Sequence, residues 1–339
     1  MANMNIGTPR FYTDHINYLM NRGIGQDGNF DVITGSNLIG IQTGSEAELF
    51  DMRPLNKVDF DTSANTSDHV LINIDTQSTS TKKSFVAILN HNMASADAKV
   101  LIKASNTESH VQAVNMGSAT AMSNTADVVN GDISTNHIAP GTDGSTIIRF
   151  DESALRYWGI QFEGNSSNTF SSTDLFVGCI MIGEYYDMPH APDLNITRMI
   201  SYNRMNDLQE SYGGQRFSNL KTYGRTAGST SKSPFTTASN GYESQGGRLI
   251  YDMNFSFLDS TDLMPDEYDI VADDDNFVDD VWNMTNGNHI PFIFSIDKSS
   301  EGDNAESEHI FGRFANNSLD MAQVAPNVFN VKLTVEEEF

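Results

Sequence analysis

The sequence predicts a mainly β protein: an N-terminal arm, a β-sandwich, then a second β-rich domain with one amphipathic helix. Three observations predict it. Short apolar runs, several alternating with period two, recur between turn residues along the 339-residue chain. Hydrophobic residues make up only 38% and charged residues 19%, and the balance is rich in Asn, Ser, Thr and Gly, the residues of turns and loops. Twenty Phe, 11 Tyr and 2 Trp nevertheless supply large core side chains, so long-range disorder is not expected. A chain of this length divides into about two domains of ~100–200 residues.

Residues 1–30 read as the arm. Tyr12, Ile16, Leu19 and Met20 fall at helical spacing after an Asp14 cap, and NRGIGQDGN breaks the pattern. This amphipathic piece packs either on its own core or on a neighbouring copy. The sandwich is expected over 31–187. HVLINID (69–75) places Val70, Ile72 and Ile74 on one face, and SFVAILNHN (84–92) is apolar enough for a strand buried on both faces. AKVLIKAS (98–105) and STIIRFDE (145–152) follow. YWGIQFEG (157–164) sets Trp158, Ile160 and Phe162 on one side, and DLFVGCIMIGEYY (174–186) closes the series. The stretch from Ser105 to Asp143 reads as surface loops with one further strand.

A Pro-containing connector is expected over 188–195, where Pro189 and Pro192 hold the chain extended. The second domain, 196–339, reads as an assembly domain. Its strands are RLIYDMNFSFLD (248–259), HIPFIFSID (289–297), HIFGRFAN (309–316) and VFNVKLTVEEEF (328–339). Phe277, Val278, Val281 and Trp282 form a helical stripe near 274–286, with acids ahead of it and Gly287 as its stop.

With 45 Asp+Glu against 20 Lys+Arg the net charge is −25, which disfavours nucleic acid and anionic lipid as partners. No apolar run approaches the ~18 residues of a membrane span. The start, MANMNIGTPRFYTDH, lacks a signal-peptide pattern and predicts synthesis in a cytoplasm. Cys179 is the single cysteine, in an apolar run, and reads as a small buried hydrophobe. DDDNFVDD fails as a calcium loop, because Val278 stands where Gly is needed and Met284 where Glu is needed. DSTDLMPDEYD (259–269) offers carboxylates without a ligand pattern. His69, His91, His110, His137, His190, His289 and His309 form no HxH or HExxH, and His91 is expected to hold a turn. There is no GxSxG elbow and no GxxxxGKS loop. No residue is assigned a catalytic, cofactor-binding or metal role, no cofactor is expected, and the protein is not expected to be an enzyme.

The combination LNHN (89–92), RYWGI (156–160) and GCIMIGEYY (178–186) resembles galactose-binding-domain-like β-sandwiches in tailed-bacteriophage virion proteins. The likeness covers about 70–187 and implies a jelly-roll sandwich. SYGGQRFS, the order strand–helix–HIPFIFSID and the terminal VKLTVEEEF resemble tail-tip proteins of the distal-tail, hub-ring kind. In those the ring-forming domain comes first, whereas here the sandwich does. The resemblance implies a structural component of the virion tail, in the tail tip, baseplate or an adaptor ring, assembled in the host cytoplasm. Its partners would be copies of itself, as a ring, hexamer or trimer, and other tail proteins. The arm, the connector and the C-terminal strand would then bury against those copies, and the basic 198–225 segment would meet a neighbour's acidic surface. The alternatives are a carbohydrate-binding module or adhesin for host-surface glycans, and a capsid decoration protein. Trp158, Tyr185 and Tyr186 are the rings a sugar would need, although the alternation of Trp158 with Ile160 and Phe162 favours the core.

Overall fold

The computed structural model describes residues 6–24, 29–122, 126–201, 208–218, 248–265, 275–299 and 308–338. It is mainly β, with large antiparallel sheets and little helix. The apolar runs fold as strands Val70–Asp75, Lys83–His91, Ala98–Ser105, Gly144–Ser153, Tyr157–Gly164 and Cys179–Asp187. The smaller sheet runs Asp132–Ser134, His137–Ala139, Ala98–Ser105, Tyr157–Gly164, Val70–Asp75, Phe30–Ile33, with Thr120–Ala121 added beside Ala98–Ser105. It packs on a larger sheet through alternate side chains. Val70, Ile72, Ile74, Val100, Ile102, Trp158, Ile160 and Phe162 meet Val86, Ile88, Ile148, Ile180 and Ile182 in one core. Lys83–His91 is buried at every position, because Phe85, Ala87 and Leu89 on its other face enter a second cluster. Such two-sided burial is why this run shows no polar alternation.

The larger sheet does not stop at the sandwich. Its eleven strands run Thr197–Ser201, Arg248–Asp259, Val328–Glu337, His309–Phe314, Phe292–Ser295, Arg10–Asp14, Cys179–Asp187, Lys83–His91, Gly144–Ser153, Asp127–Val129, with Met321–Ala325 beside Val328–Glu337. Arg10–Asp14 is the joint. It pairs Arg10↔Asp187 through Asp14↔Gly183 on one side and Arg10↔Ser295 through Tyr12↔Ile293 on the other. Phe11 enters the aromatic core of the second half and Tyr12 the cluster beneath the sandwich strands. Gly183 permits this pairing, since a Cβ there would lie 2.0 Å from the carbonyl oxygen of Thr13.

Of the two placements expected for the arm, on its own core or on a neighbouring copy, residues 10–21 take the first: they form an internal strand followed by helix His15–Asn21. Asp14 caps that helix, accepting from the Asn17 N–H at 2.7 Å. Tyr12, counted in the helical stripe from the sequence, belongs to the strand. The C-terminal strand is likewise committed within the chain: Val331, Leu333 and Val335 pack with Tyr251, Met253 and Phe255.

Two further expectations are corrected. Ser105–Asp143 holds Thr120–Ala121, Asp127–Val129, Asp132–Ser134 and His137–Ala139, not one added strand, because segments of two or three residues leave no readable period. The helix expected near 274–286 is a shorter π-type segment, Val278–Asn283, in which Phe277 and Val281 are buried while Val278 and Trp282 are half-buried. Residues 202–207 and 219–225 of the basic 198–225 segment, and Asp266, Glu267, Asp269, Asp273 and Asp274 of the acidic runs, lie outside the described residues. No helix among the described residues is long and apolar enough to cross a membrane.

Candidate functional site

Alternation sends one set of side chains from the smaller sheet into the core and the other set outward. Leu71, Asn73 and Asp75 from one strand and Tyr157, Gly159, Gln161 and Glu163 from its neighbour share the outer face, with Gly159 opposite Asn73. The segment 106–119 lies over this face. Gly159 lets it approach, since a Cβ there would sit 2.1 Å from Met116 Sδ and 3.3 Å from the Val111 carbonyl oxygen. Polar contacts pin the segment down. The Asn115 N–H donates to Gln161 Oε1 at 2.7 Å, and Lys103 Nζ donates to the Asn115 and Met116 carbonyls at 3.0 and 3.2 Å. Leu71, Leu101, Val111 and Met116 form a small apolar cluster beneath it.

Between this segment and the edge strand Phe30–Ile33 a cleft remains, lined by Asn73, Tyr157, Asp31, Asp75, Glu108 and Gln112 among others. Its volume is about 50 Å³, and it is open to solvent. Asn73 is 8% exposed, and neither its Nδ2 nor its Oδ1 has a hydrogen-bond partner among the described residues. More than nine in ten buried polar groups are paired in native proteins, and an unmade bond costs ~1–3 kcal/mol. A donor and an acceptor side by side and unpaired at a cleft are therefore a feature requiring explanation. Around them Arg156 is locked to Asp75 by two bonds of 2.7 and 2.8 Å, and its guanidinium lies 4.9 Å from the Tyr157 ring centre. Gln112 Nε2 donates to Glu108 Oε1 at 3.0 Å on the exposed rim. The arrangement combines a half-buried aromatic ring, amides and carboxylates, groups suited to hydroxyls and amines.

At the other end of the same face polar groups converge on Glu163, although the His137 Nε2 and His69 Nδ1 atoms near it make no hydrogen bond among the described residues. Lys99 Nζ and His137 Nε2 each lie 3.1 Å from Glu163 Oε1, and Gln161 Nε2 donates to Glu163 Oε2 at 2.9 Å. Burial pushes the Glu163 carboxyl up, but attraction to His137 and Lys99 outweighs it and holds the group down at about 2. This cluster ties strands together. A third polar group lies at the joint between the halves. Burial, then the charges of Asp280, Glu152 and Asp275, push Glu184 up to about 8. Burial, with the charges of Asp275 and Asp279, pushes Asp280 up to about 7 against the Asn276 N–H. Among the described residues no group of three or more His, Cys, Asp or Glu is arranged to hold a metal ion.

The rings singled out from the sequence are not brought together. Trp158 is fully buried, stacked 5.4 Å from Phe150 with its N–H on the Leu155 carbonyl at 2.8 Å. Tyr186 is buried and donates to the Asp262 carbonyl, while Tyr185 lies beneath the Arg10 guanidinium at 4.0 Å. His91 does hold a turn: its Nδ1 accepts from the Met93 N–H at 3.2 Å and its Nε2 reaches Thr146 Oγ1 at 2.8 Å. Burial lowers its imidazole to about 3. Cys179 is buried, and burial pushes its thiol well up. Sequence reading missed Asn73 and Tyr157. The signal was present in the alternation, since each is the polar or amphipathic neighbour of a core residue.

No family model and no curated protein matches the chain. Among solved structures it is similar to a chitosan-binding module of a chitosanase/glucanase from Paenibacillus sp. IK-5, at 13% identity and TM-score 0.27, covering 42% of this chain and 92% of that one. It is also similar to CBM32-1 of a family 31 glycoside hydrolase from Clostridium perfringens, at 12% identity and TM-score 0.29, covering 48% and 97%. A third is truncated AlyQ with CBM32 and alginate lyase domains, at 12% identity and TM-score 0.27, covering 68% and 49%. Each superposition is partial.

Proposed function

We propose that this chain is a non-catalytic glycan-binding protein whose site is the Asn73 cleft on the outer face of the smaller sheet. The observation that carries the reading is the buried, unpaired Asn73 carboxamide at a cleft with Tyr157 at its side. The cleft is small and open, so a sugar ring would lie over the rim with one polar substituent directed at Asn73. Tyr157 offers a ring face, and Asn73 and Gln112 offer donors and acceptors, the chemistry by which saccharides are held. The test is a glycan array probed with the wild type and Asn73→Leu. The reading expects a defined set of signals that the variant loses; silence across the array, or unchanged signals in the variant, refutes it.

A second reading, compatible with the first, is a structural component of a tailed-virus particle, in the tail tip, baseplate or an adaptor ring. It comes from the sequence resemblance and is favoured by one feature of the second half. Phe257 sits in the register shift between Phe255 and Leu258 with φ of 65° and is 77% exposed. A bulky residue held at positive φ is strained, and strain with an outward aromatic suits a contact made on assembly. Ile200, Leu194 and Val324 are also exposed in this half. Negative-stain imaging tests the reading: rings or trimers that Phe257→Ser disperses support it, and a monodisperse monomer at micromolar concentration removes it.

A further inference from the structure

We infer that the substituent taken by the Asn73 cleft is a protonated amine, so that the ligand class is an amino sugar; this rests on the glycan reading above. Among the described residues the lining carries three carboxylates, Asp31, Asp75 and Glu108, and no cation; Arg156, bonded to Asp75, lies beside it. Asp75 is saturated: beyond Arg156 it accepts from the Gln77 N–H at 2.8 Å and from Gln77 Nε2 at 2.9 Å. Glu108 accepts from the neutral Gln112 amide at 3.0 Å, and its charge also acts on Arg156. Asp31, directly across the sheet from Asn73, is exposed and makes no ion pair among the described residues.

The cleft therefore presents a net negative charge, three carboxylates beside one guanidinium, around a neutral acceptor–donor pair. A pyranose with an ammonium beside a hydroxyl complements it. The ammonium donates to Asn73 Oδ1 while facing the carboxylates, and the neighbouring hydroxyl oxygen accepts from Asn73 Nδ2. A uronic acid brings like charge to the same place. An N-acetyl group removes the positive charge that the carboxylates favour. Two carboxylates at a wet rim support about a tenfold preference for the amine over a hydroxyl, and salt screens it.

The experiment is isothermal titration of the full chain at pH 6 and low salt with three probes of the same linkage. These are a glucosamine oligosaccharide, its N-acetylated counterpart and a neutral glucose oligosaccharide. The glucosamine probe is expected to bind about tenfold tighter than the neutral one. Asp31→Asn with Glu108→Gln, both at exposed positions, should erase that preference while leaving neutral binding in place, and Asn73→Leu should abolish binding of all three. Equal affinity for the amine and neutral probes overturns the amine assignment and leaves the glycan reading standing, as does failure of all three probes beside real signals on the array. A preference that survives the double substitution overturns the placement in this cleft. Failure of all three with a silent array overturns both.

Discussion

Substituting Phe11 by Ala tests whether the Arg10–Asp14 strand makes one cooperative body of the two halves. Phe11 is fully buried, with its ring centre 5.2 to 5.8 Å from those of Phe277, Phe292, Phe294 and Phe314. Removing it opens a cavity in a close-packed aromatic cluster, at ~3–5 kcal/mol for a buried Phe→Ala change. Against a typical total of ~5–15 kcal/mol this is a large fraction. The chain supplies its own two probes. Trp158 lies in the sandwich core, and Trp282 lies 5.3 Å from Phe314, one ring away from Phe11. Urea unfolding followed by fluorescence in Trp282→Phe reports the sandwich, and in Trp158→Phe the second half. Because the strand exchanges backbone bonds with both halves, Phe11→Ala should lower both midpoints together, by an amount worth ~3–5 kcal/mol. A Trp158 transition that stays put while that of Trp282 falls would refute the reasoning, showing that the halves unfold independently.

Gly183→Ala drives a Cβ to 2.0 Å from the Thr13 carbonyl oxygen, a backbone atom that cannot move aside, and should cost at least ~1–3 kcal/mol by thermal unfolding. Asn73→Leu should leave stability unchanged or raise it, since it removes two unpaired buried groups; a loss above ~1 kcal/mol in urea would assign Asn73 a structural role. Glu184 holds its proton in the fold up to about 8 against an ordinary 4.5, so the fold loses stability as pH rises across that window. Glu184→Gln should therefore gain on the wild type between pH 4.5 and 8 and show no gain below it; a pH-independent difference in midpoint contradicts this. Glu163 is shifted the opposite way, to about 2, so its contribution is present above 4.5 and fades as pH falls. Glu163→Gln should be destabilised at pH 7, with the gap narrowing in acid.

The long strands were legible because each buries a regular set of large apolar residues. Val70, Ile72 and Ile74, or Phe329, Val331, Leu333 and Val335, announce themselves by period. Arg10–Asp14 was not legible for a physical reason: all five residues are buried, so no polar alternation marks it, and the adjacent helix lent Tyr12 a false periodicity. The continuity of the larger sheet followed from that strand and was invisible without it. At the site, the outward direction of Asn73 and Tyr157 could be read from the pattern. Their enclosure could not, because it depends on segment 106–119 folding back over Gly159 through contacts as remote as Asn115 with Gln161.

Contact between the Asn73 carboxamide and a ligand is visible in amide-resolved 15N–1H spectra titrated with the glycan captured on the array. The side-chain NH2 signal of Asn73 should shift together with the backbone signals of Val111 and Gly159. Saturable shifts confined to other parts of the sandwich, with the Asn73 signal unmoved, would contradict it.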